Sequence, residues 1–351
     1  MAYGIGLIGN RPHQMGYGAA LEARDDCSIV AAAEHNAEKA APLEERFGLP
    51  CGRDYDAVLE DPNVDIVSIC TDFYLKRDLV RKAVAAGKHV LIDKPIARTV
   101  REAREMVETA ASAAVKISIS YPLRFEAGLR LVASQIREGL HRRITSYTHR
   151  YIKYHIVSDL MTYVSYPTEA RVNGGGELMN LGSHPVEYLY SLFGLPDRVY
   201  CRMENAYWEE YQAFGTEDMA TLICDYDGFT ATVITGRNRG RGASPMVNML
   251  DLNSEETWLH LDGDSVSVNG KPVEVPPRAM APWEACVQDL IGAIERNGEP
   301  SAGLLTGLAV AEITTAGYQS AASGQIVDLP LRDERHPLID DDEQVIEGYL
   351  D

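Results

Sequence analysis

The residues of this sequence best suited to chemistry are a histidine, an amide and a lysine, which lie in two separate stretches. In the later stretch a glycine triplet, Gly174 to Gly176, precedes Asn180 and His184. Side chains four residues apart on a helix project from one face, which would set the amide beside the imidazole. Histidine titrates near neutral pH and can act as a general acid or base. The other interpretation of this stretch is a buried helix with a flexible lead-in and a core histidine.

The earlier stretch ends a predicted strand with a lysine. The short apolar run 90–92 is followed by Asp93, Lys94 and Pro95. A residue before proline favours extended geometry, so Lys94 would leave the strand end pointing outward. In an open parallel sheet, ligands bind outside the carboxyl ends of the strands. Lys94 is therefore either a solvated surface charge or a residue of a ligand site.

The elements that would position these residues alternate between strand and helix over the first third of the chain. Strands are predicted at 3–9, 28–33, 64–70, 90–92 and 115–120, with helices between them. This alternation predicts an α/β domain with a right-handed, doubly wound parallel sheet of the Rossmann type, which we assign to residues 1–121.

The loop after the first predicted strand carries an incomplete dinucleotide-binding fingerprint. Gly9 and Gly16 fit the first and last glycines of Gly-x-Gly-x-x-Gly, but the middle glycine is missing and the loop is longer than the standard one. The N-terminus of the following helix still favours phosphate. Arg11 and His13 would either contact that phosphate or be solvated loop residues.

Glu34 ends the second predicted strand, at about the usual interval after Gly16. A carboxylate there suits the hydroxyls of a ribose and repels a 2′-phosphate, so the residue favours NAD over NADP. The other interpretation is a solvated carboxylate at the end of a strand.

The pattern changes after a boundary near Tyr121 and Pro122. Strands are predicted at 144–152, 198–206, 219–225, 229–237, 246–252, 257–261 and 265–268. Asp227-Gly228 is typical of a hairpin turn. Residues 122–332 are therefore predicted to form a C-terminal α+β domain with a large, mostly antiparallel open-faced sheet. Late helices are predicted at 282–297 and 304–323, and an acidic tail, 333–351, follows.

The composition limits the classes of partner and compartment. A net charge of −19 argues against nucleic acid and against an anionic membrane surface as partners. The chain runs directly into a predicted strand without a signal-peptide pattern, and no apolar run is long enough to span a bilayer. The six cysteines are scattered without Cys-x-x-Cys, which suits neither a disulfide framework nor a metal site. We therefore expect a cytoplasmic protein without a bound metal.

Together the two stretches resemble the Gfo/Idh/MocA oxidoreductase family, which includes glucose-fructose oxidoreductase and the inositol dehydrogenases. The family pattern has Glu-Lys-Pro after a strand and a later Gly-Gly-Gly-x-Leu-x-Asp-x-Gly-x-His. Here these are Asp93-Lys94-Pro95 and Gly174 to His184, and the resemblance runs from about Ile5 to Pro330. It implies an NAD(P)-dependent enzyme that oxidises or reduces a hydroxyl or keto carbon of a sugar, cyclitol or sugar-derived acid. It also implies a homodimer or homotetramer formed through the C-terminal sheet.

The resemblance further implies roles for individual residues. His184 would be the base for the hydroxyl proton and Lys94 the cation near the developing alkoxide, while Glu187 would orient the helix or His184. The substrate would contact Asn180, Arg124, Arg171 and His155. The cofactor would contact Gly9, Asn10, His13, Met15, Gly16, Glu34, Thr71, Asp93, Lys94 and Pro95. For Arg124 the alternative is a cation at a helix start that pairs with Glu126 or solvent.

Besides Asp93 in place of glutamate, three residues depart from the family pattern. Asp72 and Lys76 stand where the family has the proline and histidine of Thr-Pro-x-x-x-His, and Asn180 stands where it has a carboxylate. An amide can hydrogen-bond a hydroxyl but cannot accept its proton. The departures leave two alternatives open. One is an enzyme that retains NAD for a transient oxidation, as in sugar lyase or glycosidase chemistry, and the other is a binding or regulatory protein that has lost catalysis. Intact Lys94 and His184 favour an enzyme.

Overall fold

The computed structural model describes residues 2–11, 13–155, 173–213, 215–240 and 246–339. The chain divides into two compact units. The first contains Met1–Ala97, Arg101–Pro122 and Met280–Leu308, and the second contains Arg98–Val100, Leu123–Ala279 and Ala309–Asp351. The predicted domain boundaries after residues 121 and 332 stay predictions.

The described residues alternate between helix and strand at first and are mostly strands later. The helices are α1 (Gln14–Glu22), α2 (Ala37–Phe47), α3 (Tyr55–Glu60), α4 (Lys76–Ala85), α5 (Val100–Ala110), α6 (Ala127–Arg137), α7 (Glu177–Asn180), α8 (Ser183–Phe193), α9 (Glu209–Ala213), α10 (Pro282–Glu295) and α11 (Leu304–Ser323). The strands are β1 (Tyr3–Ile8), β2 (Cys27–Ala33), β3 (Cys51–Gly52), β4 (Ile66–Ile69), β5 (His89–Asp93), β6 (Ile117–Ser120), β7 (Ile144–His155), β8 (Arg198–Glu204), β9 (Met219–Tyr226), β10 (Phe229–Arg239), β11 (Met246–Ser254), β12 (Trp258–Asp262), β13 (Ser265–Val268), β14 (Lys271–Val273) and β15 (Val327–Asp328).

The first unit is built on a six-stranded sheet in the order β3-β2-β1-β4-β5-β6. Every neighbouring pair in it runs parallel. The predicted doubly wound Rossmann sheet is therefore confirmed. The strand order reverses between β1 and β4, which is the point where such sheets bind ligands.

A helix from late in the sequence completes the core of the first unit. Val287, Leu290 and Ile291 of α10 are buried in one cluster with Tyr17 and Leu21 of α1. The helix begins with a proline and is capped by the Glu284 carboxylate, which accepts a hydrogen bond from the backbone N–H of Ala281 at 3.0 Å. The two predicted late helices are both present, and α10 belongs to the first unit.

The second unit is built on a nine-stranded sheet in the order β14-β13-β12-β11-β7-β10-β9-β8-β15. Within the described part of this nine-stranded sheet only β7 and β10 pair in parallel, so the predicted, mostly antiparallel sheet is confirmed. The predicted hairpin turn at Asp227-Gly228 joins β9 to β10, with Gly228 at a φ of 88°. The short strands β14 and β15 escaped prediction because so few residues show no periodicity.

The amphipathic run after the glycine triplet is not one helix, as its spacing had indicated. Helix α7 ends at Asn180 and α8 begins at Ser183. Between them the backbone N–H of Gly182 donates to the carbonyl oxygen of Glu177 at 2.8 Å, a wider turn than an α-helix makes. A Cβ on Gly182 would lie 2.5 Å from the Leu178 carbonyl oxygen and 2.8 Å from Thr235. The close approach of β10 therefore requires glycine at this break.

The start of the predicted acidic tail packs against α11. The side-chain amide of Gln319 donates to the carbonyl oxygens of Asp333 and Arg335 at 2.8 and 2.9 Å. The ring of His336 lies over Tyr318 with centroids 4.7 Å apart. Residues 340–351 of the tail lie outside the described residues.

Two further findings concern composition. All six cysteines are buried free thiols, which includes Cys70 and Cys224, as their strand-like surroundings predicted. In the part of the chain that the structure describes, no helix is long and apolar enough to cross a membrane.

A pair of glycine-to-alanine variants tests the packing at the α7–α8 break. Gly182→Ala should lower the free energy of unfolding by about 1–3 kcal/mol, because the new methyl group overlaps the Leu178 carbonyl. Gly16→Ala is the control, since its Cβ would meet nothing closer than Trp283 at 3.8 Å and alanine favours the helix by up to about 1 kcal/mol. Urea unfolding of both variants measures the difference. Equal stability of the two would contradict the packing described.

Candidate active site

The turn after β1 accepts only glycine. Gly9 has a φ of 80°, and a Cβ there would lie 2.5 Å from the carbonyl oxygen of Cys70 and 2.6 Å from Thr71 Cγ2. Its backbone N–H donates to the carbonyl oxygen of Ala33 at 2.9 Å. The end of β1 is therefore held closely between the ends of β2 and β4, with no side chain in the way.

Glu34, at the end of β2, holds the loop that follows Gly9. The carboxylate is buried and accepts the backbone N–H of Asn10 at 2.7 Å with one oxygen and that of Asn36 at 2.9 Å with the other. The side-chain amide of Asn10 donates in turn to the carbonyl oxygen of Lys39 at 2.7 Å. An ionised carboxylate has about four acceptor positions, so Glu34 retains capacity for further hydroxyl donors. Its burial is inconsistent with a merely solvated carboxylate.

Arg11 pairs with one of the residues that depart from the family pattern. Its guanidinium is buried and lies 2.8 Å from the Asp72 carboxylate and 5.4 Å from the centre of the Phe73 ring. Its backbone N–H donates to the carbonyl oxygen of Cys70 at 3.0 Å. Arg11 is therefore not the solvated loop residue that one interpretation expected. Asp72 has a physical role here, because it neutralises a buried cation of the β1–α1 loop.

Asp93 is a buried acidic residue of the first unit. Both of its oxygens lie 3.0 Å from His13 Nδ1, and the Tyr17 hydroxyl donates to one of them at 3.2 Å. The His13 ring packs against Trp283 at the start of α10, with centroids 5.0 Å apart. Burial alone would raise the pKa of Asp93, but His13, Lys76 and Lys94 outweigh it and hold the pKa well below its usual range. Asp93 therefore stays ionised and fixes the His13 side chain.

Lys76, the other departure near the cofactor loop, is fully buried and holds the turn that carries Lys94. Its ammonium group donates to the carbonyl oxygen of Asp93 at 2.6 Å and to that of Pro95 at 2.7 Å. These carbonyls lie on either side of Lys94 in the chain. Burial lowers the pKa of Lys76 to about 8, and the Asp93 charge acts in the opposite direction. The lysine therefore clamps the Asp93-Lys94-Pro95 turn instead of marking a lost function.

The remaining predicted cofactor residues lie at the same edge of the sheet or beside it. Thr71 and Pro95 are buried just after β4 and β5, and Met15 packs against the core from the first turn of α1. Lys94 is itself buried, directly after β5. Within α1 the glycine that lies against another helix is Gly18, whose Cβ would overlap the Phe47 ring, whereas Gly16 has space around it. Gly16 is therefore not needed for packing, which is consistent with the predicted contact to a cofactor.

The glycine triplet is a close-packed crossing of backbone segments. A Cβ on Gly174 would lie 2.8 Å from the carbonyl oxygen of Arg98. On Gly175 it would overlap the Tyr318 hydroxyl, and on Gly176 it would overlap the backbone of Glu217. The triplet is thus not a flexible lead-in, because each position excludes a side chain for a different reason.

Glu217 anchors the first turn of α7 to the sheet. Its carboxylate accepts the backbone N–H groups of Leu178 at 2.8 Å and Gly176 at 3.1 Å and the Tyr318 hydroxyl at 2.8 Å. Burial raises the pKa of Glu217 to about 7, although these hydrogen bonds oppose the rise. No local sequence pattern pointed to this residue, which lies 41 positions after Gly176 in the chain.

Asn180 and His184 are both buried, on either side of the α7–α8 break. The Asn180 side-chain amide donates to Glu177 Oε1 at 3.2 Å, and the Asn180 carbonyl oxygen accepts from the Ser183 hydroxyl at 2.9 Å. The His184 ring lies edge-on to Tyr151 of β7, with centroids 5.8 Å apart. The amide is thus oriented by a carboxylate within its own helix.

Arg124 is paired with Glu187, not with Glu126 as its alternative interpretation expected. Arg124 Nη1 donates to Glu187 Oε1 at 2.6 Å, and the Glu187 side chain is fully buried in α8. Glu126 instead pairs with Arg278. The Arg124–Glu187 pair joins the start of the second unit to α8, one turn after His184.

The side chains of two predicted substrate residues are not described by the structure. Arg171 lies outside the described residues, and of His155 only the backbone at the end of β7 is described. Their predicted roles therefore stay predictions.

Models of one family match both parts of the chain. Residues 3–121 match the oxidoreductase family with an NAD-binding Rossmann fold, and residues 136–262 match the GFO/IDH/MocA C-terminal domain. The chain belongs to the Gfo/Idh/MocA oxidoreductase family. The predicted family and enzyme class, an NAD(P)-dependent oxidoreductase, are confirmed.

Similar proteins are known by sequence and by structure. D-Apiose dehydrogenase of Paraburkholderia graminis is 25% identical over 334 residues, which cover 90% of this chain and 86% of that protein. Levoglucosan dehydrogenase of Pseudarthrobacter phenanthrenivorans is 27% identical over 204 residues, which span 54% of this chain and about half (51%) of that protein. A structure of levoglucosan dehydrogenase with NADH and levoglucosan superposes with a TM-score of 0.82 at 21% identity, covering 94% of this chain and all of that one (100%).

Replacement of the buried lysine tests the clamp on the Lys94 turn. Lys76→Met should lower the free energy of unfolding by about 1–3 kcal/mol at neutral pH, because it leaves two buried carbonyls without their donor. The pKa of Lys76 is lower in the folded state than its ordinary value of 10.5, so the folded protein binds fewer protons between pH 8 and that value. Wild-type stability should therefore rise across this range relative to Lys76→Met, by up to about 3 kcal/mol.

Urea unfolding at pH 7.5 and at pH 10 measures the free energy of unfolding of wild type and variant, and the difference between the two proteins is compared at the two pH values. Lys271→Met, the same change at an exposed position, serves as the control. A difference that stays constant with pH would contradict a lowered pKa for Lys76.

Proposed function

We propose that this protein is an NAD(H)-dependent oxidoreductase that transfers a hydride to or from a secondary hydroxyl or keto group of a sugar, cyclitol or sugar-derived acid. The observation that carries the proposal is the arrangement of Gly9, Asn10 and Glu34 at the reversal point of the parallel sheet. The relatives named above act on D-apiose and levoglucosan by their names, which supports a sugar as substrate. Both relatives are dehydrogenases by name, which does not favour the alternatives of a lyase, a glycosidase or a binding protein.

The residues at the sheet edge fit a dinucleotide. Gly9 lets the end of β1 turn without a side chain, and the N-terminus of α1 lies directly after the loop, where phosphate is favoured. Glu34 has acceptor capacity left for two ribose hydroxyls, and its charge disfavours a 2′-phosphate. NAD is therefore the proposed cofactor in preference to NADP. When bound, its nicotinamide supplies the hydride acceptor or donor.

The proton chemistry falls to residues of the two family motifs. His184 accepts the hydroxyl proton during oxidation and returns it during reduction, a role for which an imidazole is chemically suited. Lys94 stabilises the negative charge that develops on the substrate oxygen. Asn180, Arg124, Arg171 and His155 are the proposed substrate contacts. Of these, Asn180 and Arg124 already have their side chains oriented by Glu177 and Glu187.

The remaining expectations extend this proposal. A reducing cytoplasm suits six free thiols, and the strongly negative net charge disfavours nucleic acid and anionic membranes. A homodimer or homotetramer through the C-terminal sheet is proposed from the family resemblance. Residues 1–121, 122–332 and 333–351 remain the proposed cofactor domain, substrate and oligomerisation domain, and tail.

Charge removal at Glu34 tests the cofactor preference. Glu34→Gln should weaken NADH binding and narrow the preference over NADPH, because the amide is a weaker acceptor for ribose hydroxyls and no longer repels a 2′-phosphate. Calorimetric titration with both nucleotides measures the two dissociation constants. Glu38→Gln, an exposed acid in the first turn of α2, is the matched control. An unchanged ratio of the two constants would remove Glu34 from this role.

Replacement of the proposed base tests the reaction. A panel of sugars, cyclitols and sugar acids is first screened by NADH absorbance to find a substrate. With that substrate, His184→Gln should lower kcat by about 10²–10⁴ and leave the NADH dissociation constant unchanged. His260→Gln, the same change on β12, is the control and should keep full activity. Turnover of His184→Gln at the wild-type rate would exclude His184 as the base.

A further inference from the structure

Glu177 gathers three donors on one carboxylate oxygen. Its Oε1 accepts from the Tyr211 hydroxyl at 2.6 Å, from Arg237 Nε at 2.7 Å and from Asn180 Nδ2 at 3.2 Å. The side chain is almost completely buried, with 1% of its surface exposed. Because a carboxylate can only accept, the amide nitrogen of Asn180 must face Glu177 and its oxygen must face the other way.

We propose that Glu177 is a positioning residue that sets substrate specificity, because it fixes Asn180 as an uncharged acceptor for a substrate hydroxyl. The proposal rests on the proposed function, which makes Asn180 a substrate contact. The family pattern has a carboxylate at the position of Asn180 and leaves the position of Glu177 unspecified. Relative to the family pattern, this chain shows an exchange of two side chains: position 180 carries an amide instead of a carboxylate, and a carboxylate stands at position 177, about one helical turn closer to the N-terminus.

The charges around α7 explain why the amide is needed. An aspartate in place of Asn180 would set a carboxylate oxygen about 3 Å from Glu177 Oε1, where two carboxylates cannot both ionise without raising the pKa of one. Arg237 of β10 is the cation that pairs with Glu177. Glu217, which precedes β9, adds a further acidic group, and its pKa is already raised to about 7 by burial. Further titratable groups around this turn, among the described residues, are Tyr211, Tyr318 and His184.

The surroundings of the second carboxylate oxygen of Glu177 indicate that this residue does more than stabilise the fold. Oε2 is buried and makes no hydrogen bond within the described part of the chain. A buried acceptor without a donor costs free energy, and neither Arg237 nor Tyr211 donates to this oxygen. The charge of Glu177 is instead useful where it polarises and orients its neighbour.

The exchange has a consequence for the class of substrate. A fixed amide oxygen accepts a hydrogen bond from a hydroxyl group, as a carboxylate would, but it does not repel a negatively charged substituent. The site therefore suits neutral sugars and sugar acids alike, with a hydroxyl donor required opposite Asn180.

A double-mutant cycle tests the coupling without any ligand. The full chain is compared with Asn180→Asp, Glu177→Gln and the double variant by thermal melting at pH 5 and pH 8. The introduced carboxyl group would have a folded-state pKa above its unfolded value, so its destabilisation should grow as pH rises. We expect Asn180→Asp to melt several degrees below wild type at pH 8 and much closer to it at pH 5. The double variant, which has one carboxylate again, should recover most of the loss at pH 8.

Asn253→Asp, the same change at an exposed position of β11, is the control and should melt like wild type at both pH values. Equal loss for Asn180→Asp at both pH values, or a double variant no better than the single one, would overturn the proposed coupling.

Activity then tests specificity, with the substrate found by the NADH-linked panel. Asn180→Asp should lower kcat/KM on the order of tenfold or more, mainly through KM, and the double variant should recover most of it. The NADH dissociation constant should stay unchanged throughout. Normal kinetics of Asn180→Asp would reduce Glu177 to a structural role and overturn the specificity proposal. A wild-type protein that neither binds NADH nor turns over any sugar would refute the proposed function, whereas the melting cycle would still decide the coupling.

Discussion

The absence of three side chains at Gly174, Gly175 and Gly176 is the constraint on which the second unit depends. Backbone near Arg98, the Tyr318 hydroxyl and the backbone of Glu217 each occupy the space that a Cβ would need. Helix α7 can therefore begin directly on the sheet, with Glu217 satisfying the N–H groups of its first turn. A helix start normally leaves such groups unpaired, and here a buried carboxylate supplies the partner. The orientation of Asn180 and the course of α8 follow from that starting point.

In the first unit a cluster of charged side chains fixes the turn around Lys94. Asp93 is held ionised in a buried position, with His13 and Tyr17 on its carboxylate and Lys76 on its carbonyl oxygen. A buried ion pair contributes little net stability, but it permits few alternative arrangements. The turn around Lys94 is consequently held both by the strand β5 that precedes it and by the ammonium group of Lys76 in α4.

Local patterns were enough to predict both sheets, the hairpin at Asp227-Gly228 and the strand-end position of Glu34, because these depend on periodicity and turn chemistry. The partners of charged side chains depend on the tertiary fold, which no local pattern contains. From the sequence, Asp72 and Lys76 were therefore interpreted only as departures from the family pattern. In the structure Asp72 neutralises Arg11, and Lys76 holds the turn around Lys94. The four-residue spacing of Asn180 and His184 suggested one continuous helix. The spacing could not reveal that β10 packs closely against Gly182, where the helix breaks. The importance of Glu177 and Glu217 was invisible for the same reason.

The position of α10 in the sequence affects the order in which the molecule can fold. Its residues Val287, Leu290 and Ile291 belong to the core of the first unit, yet they follow almost the whole sheet of the second unit along the chain. At translation rates of about 5–20 residues per second, they emerge on the order of ten seconds or more after the parallel sheet has been synthesised. During that interval the apolar sides of Tyr17 and Leu21 lack their covering helix. The parallel sheet thus completes its core only after the second sheet, which follows it along the chain, has been synthesised.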